Sequence, residues 1–277
     1  IGSKTFYGCN LLKQIIIPNS IERIGAYSFY DCSSLEEITI PHSVKLIEYY
    51  AFYRCKSMKK ITINSPDVII GQSVFMHCIS FNSITLNSSM EFIYDLTFYL
   101  CSALKSFTIP SSVIKIEDMA FSKCSLLESI TFPSSLKCIG NYCFEECSSL
   151  KNISFPSTLE KIGNFAFLLC SSLESITIQT NEIEIGDFAF SKCSNLKLIK
   201  ISSSLCSIGN EAFNKCSKLE EFEIMPNCSF KSLGVAIFYK CQSLKKVTIP
   251  YSLASIEKYT FYSCSSLTEI VIPSSVK

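Results

Sequence analysis

Histidine is almost missing from this sequence. His42 and His77 are the whole supply, and no Cys-x2-Cys pair accompanies them, which argues against a zinc site. His77 adjoins Cys78, but neighbouring side chains point different ways. A working Cys–His dyad also needs a third orienting group. His42 follows Pro41 in a turn and is expected to be solvated. An excess of one charge is missing too. Lys and Arg number 25 against 24 Asp and Glu, a net charge of +1, whereas a nucleic-acid footprint needs a basic stripe. No apolar run approaches the ~18 residues of a membrane span, so this segment is not expected to insert in a membrane. No signal peptide is visible, and the chain starts at Ile1, in mid-repeat and without methionine. No linker, low-complexity tract or charge block interrupts it, so residues 1–277 read as one domain. No enzyme activity, metal or cofactor is expected.

What the sequence does contain is one unit written again and again. Phe-x-x-Cys occurs at Phe6/Cys9, Phe29/Cys32, Phe52/Cys55, Phe75/Cys78, Phe98/Cys101 and Phe121/Cys124. It continues at Phe144/Cys147, Phe167/Cys170, Phe190/Cys193, Phe213/Cys216, Phe238/Cys241 and Phe261/Cys264. The step is 23 residues, with one step of 25 between Phe213 and Phe238. A unit this short cannot bury its own apolar face, but stacked copies can.

Within the unit, Ile38-Thr39-Ile40 alternates as a strand with one buried face should. It returns as Ile61-Thr62-Ile63, Ile130-Thr131-Phe132 and Ile176-Thr177-Ile178. Proline ends the strand at Pro18, Pro41, Pro110, Pro133, Pro156, Pro250 and Pro273, where no further ladder donor is needed. Leu35 and Ile24 mark further inward positions. Eight of the nine glycines follow the Ile24 position, which implies positive φ or close backbone approach there. The spacing of Ser28, Phe29 and Cys32 fits one short helical turn. In the third and ninth coils Val68 and Ile183 are expected to point inward in place of Asp67 and Glu182, bending the loop locally.

The unit Ile-Gly-x-x-Ala-Phe-x-x-Cys-x-x-Leu-x-x-Ile-x-Ile-Pro resembles the BspA-like, or Treponema pallidum type, leucine-rich repeat in its Cys-rich protist form. Ile162-Gly163, Ala166-Phe167, Cys170, Leu173 and Ile176-Thr177-Ile178 carry the match, and it spans every unit. The implied fold is an α/β solenoid, mostly β. It would be a right-handed leucine-rich-repeat coil of about twelve 23-residue repeats. A parallel sheet would line its concave face, and short helical turns or short strands its convex side. The resemblance implies a surface or secreted protein that adheres to host or microbial proteins, with no catalytic residues to carry over. The alternative is an intracellular scaffold of the same fold. Solenoids usually close with atypical caps, yet Ile1-Gly2 and Ser275-Val276-Lys277 still follow the repeat. A longer parent protein, or ends covered by a partner or a second copy, is therefore expected.

Sixteen cysteines raise disulfides or metal sites as alternatives to packing. The repeat cysteines sit at one place in each coil, where free Cys behaves as a small buried hydrophobe, so Phe29, Phe52, Phe121, Phe144, Phe167, Phe190 and Phe213 with their cysteines form the expected core. Cys143 is expected in that core as well. Cys206 and Cys228 fall in loops, and exposed thiols there would favour a reducing compartment.

On the surface, Lys13, Glu36, Lys59, Asn82, Lys105, Glu128, Lys151, Glu174, Lys197, Glu220 and Lys245 form a ladder of nearly alternating sign, which helps to fix register. The outward strand rows are hydroxyl-rich in the middle and charged toward the C-terminus. A protein ligand is expected at that charged region, on Leu198, Lys200, Glu221, Glu223 and Lys246. The tyrosines that follow the repeat phenylalanine (Tyr7, Tyr30, Tyr53, Tyr99, Tyr239, Tyr262) serve either as surface cover or as an interface. The insertion within Met225–Ser232 is expected to protrude. Asn87, Asn152 and Asn227 head glycosylation sequons.

Overall fold

The computed structural model describes residues 1–86, 89–225 and 228–277. Two of the three sequon asparagines, Asn87 and Asn227, lie outside the described residues, as does Pro226 of the insertion.

The chain is a mostly β parallel solenoid. A front row of strands comprises Glu37–Ile40, Lys60–Ile63, Ser83–Thr85, Ser106–Thr108, Ser129–Thr131, Ser175–Ile178, Leu198–Ile201, Glu221–Ile224 and Lys246–Val247. Pairing is parallel and steps by one repeat, as in Ile38↔Ile61↔Ile84. At Asn152 the row continues as isolated bridges to Ser129 and Ser175. Twelve units stand in the sequence, and nine turns register as strands in this row. A second row of short strands runs beside it, from Arg23–Ile24 and Leu46–Ile47 through Lys161–Ile162 to Ser229–Leu233. Alternation drives both rows: in Glu37–Ile40 the isoleucines are buried and Glu37 and Thr39 are exposed, as a half-buried strand requires.

The expected helical turn is not there. Among the described residues no helix forms: residues 26–31 are a run of turns that follows the short strand Arg23–Ile24. The reason lies in the amides around Phe29. Ser28, Tyr30 and Cys32 donate three residues back, to Gly25, Tyr27 and Phe29. The intervening Tyr27, Phe29 and Asp31 donate to the next coil, at Tyr49, Ala51 and Tyr53. Half the amides thus run along the solenoid axis, where a helix would keep all of them to itself. Tyr27 and Asp31 reach this geometry with φ of 56° and 54°. A chain of stacked turns has the three-to-four-residue spacing of a helical turn without its hydrogen bonds.

The positive φ expected at the glycine position belongs to those two residues instead. Of the glycines only Gly8 has positive φ. From Gly25 onward the repeat glycines obey the other reading, close approach to the preceding coil. A Cβ on Gly163 would lie 2.6 Å from the Gly140 carbonyl carbon and 2.7 Å from the Asn141 nitrogen, both backbone of the preceding coil.

The core is a column of phenylalanines. Rings from Phe6 to Phe261 stack coil on coil with centroids 5.1–6.0 Å apart. Beside it runs a column of thiols. From Cys32 to Cys264 each repeat Cys Sγ donates to the carbonyl of the phenylalanine one coil back, as in Cys55 to Phe29 and Cys147 to Phe121, both at 3.2 Å. Val68 and Ile183 are 2% and 1% exposed and take the inward role. At Ile183 the strand lengthens to Glu182–Ile185. Cys143 is fully buried.

Cys206 and Cys228 are buried too, against the expectation of exposed loops. The strand there is extended to Leu205–Ile208, and Cys206 pairs in register with the inward Ile183. The two-residue insertion is divided. One residue falls between Ile224 and Ser229, and the other is absorbed as a bulge where Cys206↔Phe230 gives way to Ser207↔Ser232. Bulges of this kind take up one extra residue on one strand.

A second ladder was not legible in the sequence. Asp95, Asp118, Asn141, Asn164, Asp187 and Asn210 each accept, through Oδ1, the amide of the corresponding residue one coil on, at 2.6–2.8 Å. Asn164→Ala would leave the Asp187 amide without its acceptor and cost about 1 kcal/mol. Equilibrium unfolding in denaturant measures this, and Asn164→Asp, which keeps the acceptor, should be closer to neutral.

Thiol chemistry offers an independent check on the packing. Burial pushes the thiols of Cys78 and Cys124 up to about 12, while Cys9 is exposed. Under native conditions a thiol reagent should therefore label Cys9 first and leave the repeat thiols from Cys55 to Cys241 unmodified until the protein unfolds. Alkylation followed by mass spectrometry reads this directly.

Candidate functional site

The front face is positioned by period two. Every residue between two buried isoleucines points out, and parallel register lines such residues up across coils. Leu198, Glu221 and Lys246 are cross-strand neighbours, as are Lys200 and Glu223. The structure thus brings the expected binding residues onto one surface.

Their charges are engaged with one another. Glu223 lies between two lysines, with Lys200 Nζ at 3.1 Å and Lys246 Nζ at 3.4 Å. The hydrogen bond from Lys200 holds the Glu223 carboxyl below the usual carboxylate range, with Lys246 adding to it. One step lower, Lys245 Nζ meets Glu220 at 2.8 Å, and that hydrogen bond lowers the Glu220 carboxyl. The same alternating ladder closes at the other end, where Lys59 meets Glu36 at 2.9 Å. Solvent screens such exposed pairs, so they set the register and pattern of the surface more than its stability. The surface so made alternates sign from coil to coil, with a half-buried Leu198 at its edge. It offers ionic and hydrogen-bonding contacts but holds no nucleophile–base pair.

Between the two charged ends lies a neutral stretch. Ser106, Thr108, Ser129 and Thr131 stand in register on adjacent strands. Asn152, the sequon asparagine within the described residues, sits on this outward row, bridged to Ser129 and Ser175.

A recess lies on the same face toward the N-terminus. It has a volume of about 510 Å³ and is lined by Gln14, Glu37, Thr39, His42, Lys60, Thr62 and Asn64 among others. The signal available was His42 and Asn64 at the positions just past the strand, where many coils carry Pro-Ser.

On the opposite side, Tyr7, Tyr30 and Tyr53 stack face to face at 4.5 and 4.7 Å. Tyr239 and Tyr262 do so at 4.8 Å. Stacking along the axis hides the ring faces against each other and leaves edges and hydroxyls outward. Among the described residues no group of three or more His, Cys, Asp or Glu side chains is placed to hold a metal ion, and no helix is long and apolar enough to cross a membrane.

Comparison with known proteins places this architecture. The family model described as BspA type leucine rich repeat region matches residues 1–128, 115–230 and 160–277. The crystal structure of a leucine-rich repeat protein from Bacteroides ovatus is 32% identical. It aligns over 100% of this chain and 77% of its own length, with a TM-score of 0.81. A leucine rich cell surface protein from Faecalibacterium prausnitzii is 28% identical over the same shares, with a TM-score of 0.57. No curated protein matches the chain.

Proposed function

This chain belongs to the BspA-type leucine-rich-repeat family, and from that membership we propose that it is a non-enzymatic protein-binding solenoid. We read it as one domain of twelve coils, one for each Phe-x-x-Cys. It acts at the cell surface or as a secreted protein and mediates adhesion to host or microbial proteins. Support for the location comes from the relative in Faecalibacterium prausnitzii, which is described as a cell surface protein. Protein ligands engage the front face at Leu198, Lys200, Glu221, Glu223 and Lys246. The single observation behind that choice is the coil-by-coil alternation of charge around Glu223, pinned by ion pairs to Lys200 and Lys246. A rigid alternating surface is complementary to few partners, so it favours specificity over raw affinity.

The intracellular reading drew on free thiols. All sixteen cysteines are free in the structure, but most are buried, and a buried thiol is shielded in either compartment. The observation that favoured an intracellular scaffold therefore loses its weight.

Beads coated with the purified chain test the reading. They should adhere to host cells above albumin-coated controls. The folded Lys200→Glu/Lys246→Glu variant, which leaves Glu223 unpaired and reverses two charges, should adhere at control level. Undiminished adhesion of that variant removes the charged face from the account. Failure of the unaltered chain to adhere removes the adhesive role itself.

A further inference from the structure

The position two residues after the repeat phenylalanine forms a column of its own on the turn side. Its residues have positive φ, 54° at Asp31 and 61° at Lys192. Each amide is tied to the next coil: Lys192 N donates to Asn214 O at 2.7 Å and Lys215 N to Tyr239 O at 2.8 Å. The backbones are locked, so the side chains project outward in single file at the coil spacing.

Elsewhere in the column, neighbouring charges match. Arg54 meets Asp31 at 4.0 Å, and Lys123 meets Glu146 at 3.8 Å. The pattern then breaks. Lys192, Lys215 and Lys240 follow one another on three successive coils. All three are exposed, and none has a carboxylate within ion-pair distance among the described residues. Glu211, the acid on the neighbouring turn position, is engaged by Asn214 Nδ2. A compensating contact is that of Lys240 Nζ, 5.3 Å from the Tyr239 ring. Like charges set directly opposite on adjacent strands destabilise, and a solenoid that alternates sign in its other charged column carries three positives in a row here.

We propose that Lys192, Lys215 and Lys240 form a binding site for a linear sulfated polysaccharide lying along the solenoid axis. Three features select this ligand. The positive strip is one residue wide and spans three coils, so it fits a single chain of spaced anions. Lysine acts as a compact point charge suited to isolated sulfates and makes no bidentate fork. The chain as a whole carries a net charge of +1, and a nucleic acid would need a broader basic field. The hydrogen-bonded coil stack fixes the backbones that carry the three lysines before any ligand arrives, so only their side chains remain to be ordered on binding. This site lies on a different side from the front face and does not depend on it.

The test is binding of the intact chain to immobilised heparin, compared with chemically desulfated heparin and with single-stranded DNA. The comparison includes Lys192→Gln/Lys215→Gln/Lys240→Gln and a control with equal charge removal, Lys13→Gln/Lys105→Gln/Lys151→Gln. The expected result is salt-sensitive retention of the unaltered chain and of the control, with loss of retention in the column variant. That variant should melt no earlier than the parent, since relief of the repulsion among three lysines offsets the loss of the exposed Lys240–Tyr239 contact. The proposal is overturned if the column variant is retained like the parent, if the control loses binding equally, or if DNA or desulfated heparin is held as tightly as heparin.

Discussion

Phe144→Ala lowers the stability of this protein by about 3–5 kcal/mol. The ring is fully buried, stacked 5.3 Å from Phe121 and 5.1 Å from Phe167. Its loss opens a cavity in the middle of a column that has no alternative filler, because each neighbouring ring is held by the coil above and below. Stability in a repeat array is a sum of units and nearest-neighbour interfaces. One truncated ring therefore weakens two interfaces at once. Denaturant unfolding should shift accordingly, and a second transition would appear if the halves on either side of Phe144 uncouple. A shift below about 1 kcal/mol would mean that the phenylalanine column is not the core.

Gly163→Ala destabilises by about 1–3 kcal/mol, the cost of forcing extra atoms into a packed site. The usual argument, a left-handed backbone, does not apply here. The new methyl carbon would sit 2.6 Å from the Gly140 carbonyl carbon, and a backbone atom cannot swing away as a side chain can. The coils must part, which stretches the bond from Gly163 N to Ile139 O, 2.8 Å in the native chain. Gly8→Ala is the counterpart. No atom lies within 4 Å of a Cβ there, although φ is +71°, so any cost reflects backbone strain alone. Thermal melts of both variants should separate the two causes. Equal small effects would refute the close-packing account.

Period and alternation carried most of the architecture. Both were readable because a side chain's facing depends on its place within a strand and on its copies one coil away, as Val68 and Ile183 illustrate. Turn geometry was less readable. The spacing of Ser28, Phe29 and Cys32 is compatible with a helical turn and with stacked turns, and only the destination of the amides distinguishes them. The facing of Cys206 and Cys228 is not legible because a lengthened strand and a bulge, neither marked by Gly or Pro, decide which way those thiols point. On the front face, the neighbours Lys200, Glu223 and Lys246 were legible from register alone. That both lysines converge on one carboxylate depends on side-chain reach, which spacing does not encode. The lysine column is illegible in the sequence for a simpler reason: its residues are polar surface positions until they are stacked.

The adhesive reading rests finally on where the protein is. Antibody staining of intact against permeabilised native cells decides it. The account predicts staining of intact cells, with little gain on permeabilisation. Staining that appears only after permeabilisation would contradict it and assign the same solenoid to an intracellular scaffold.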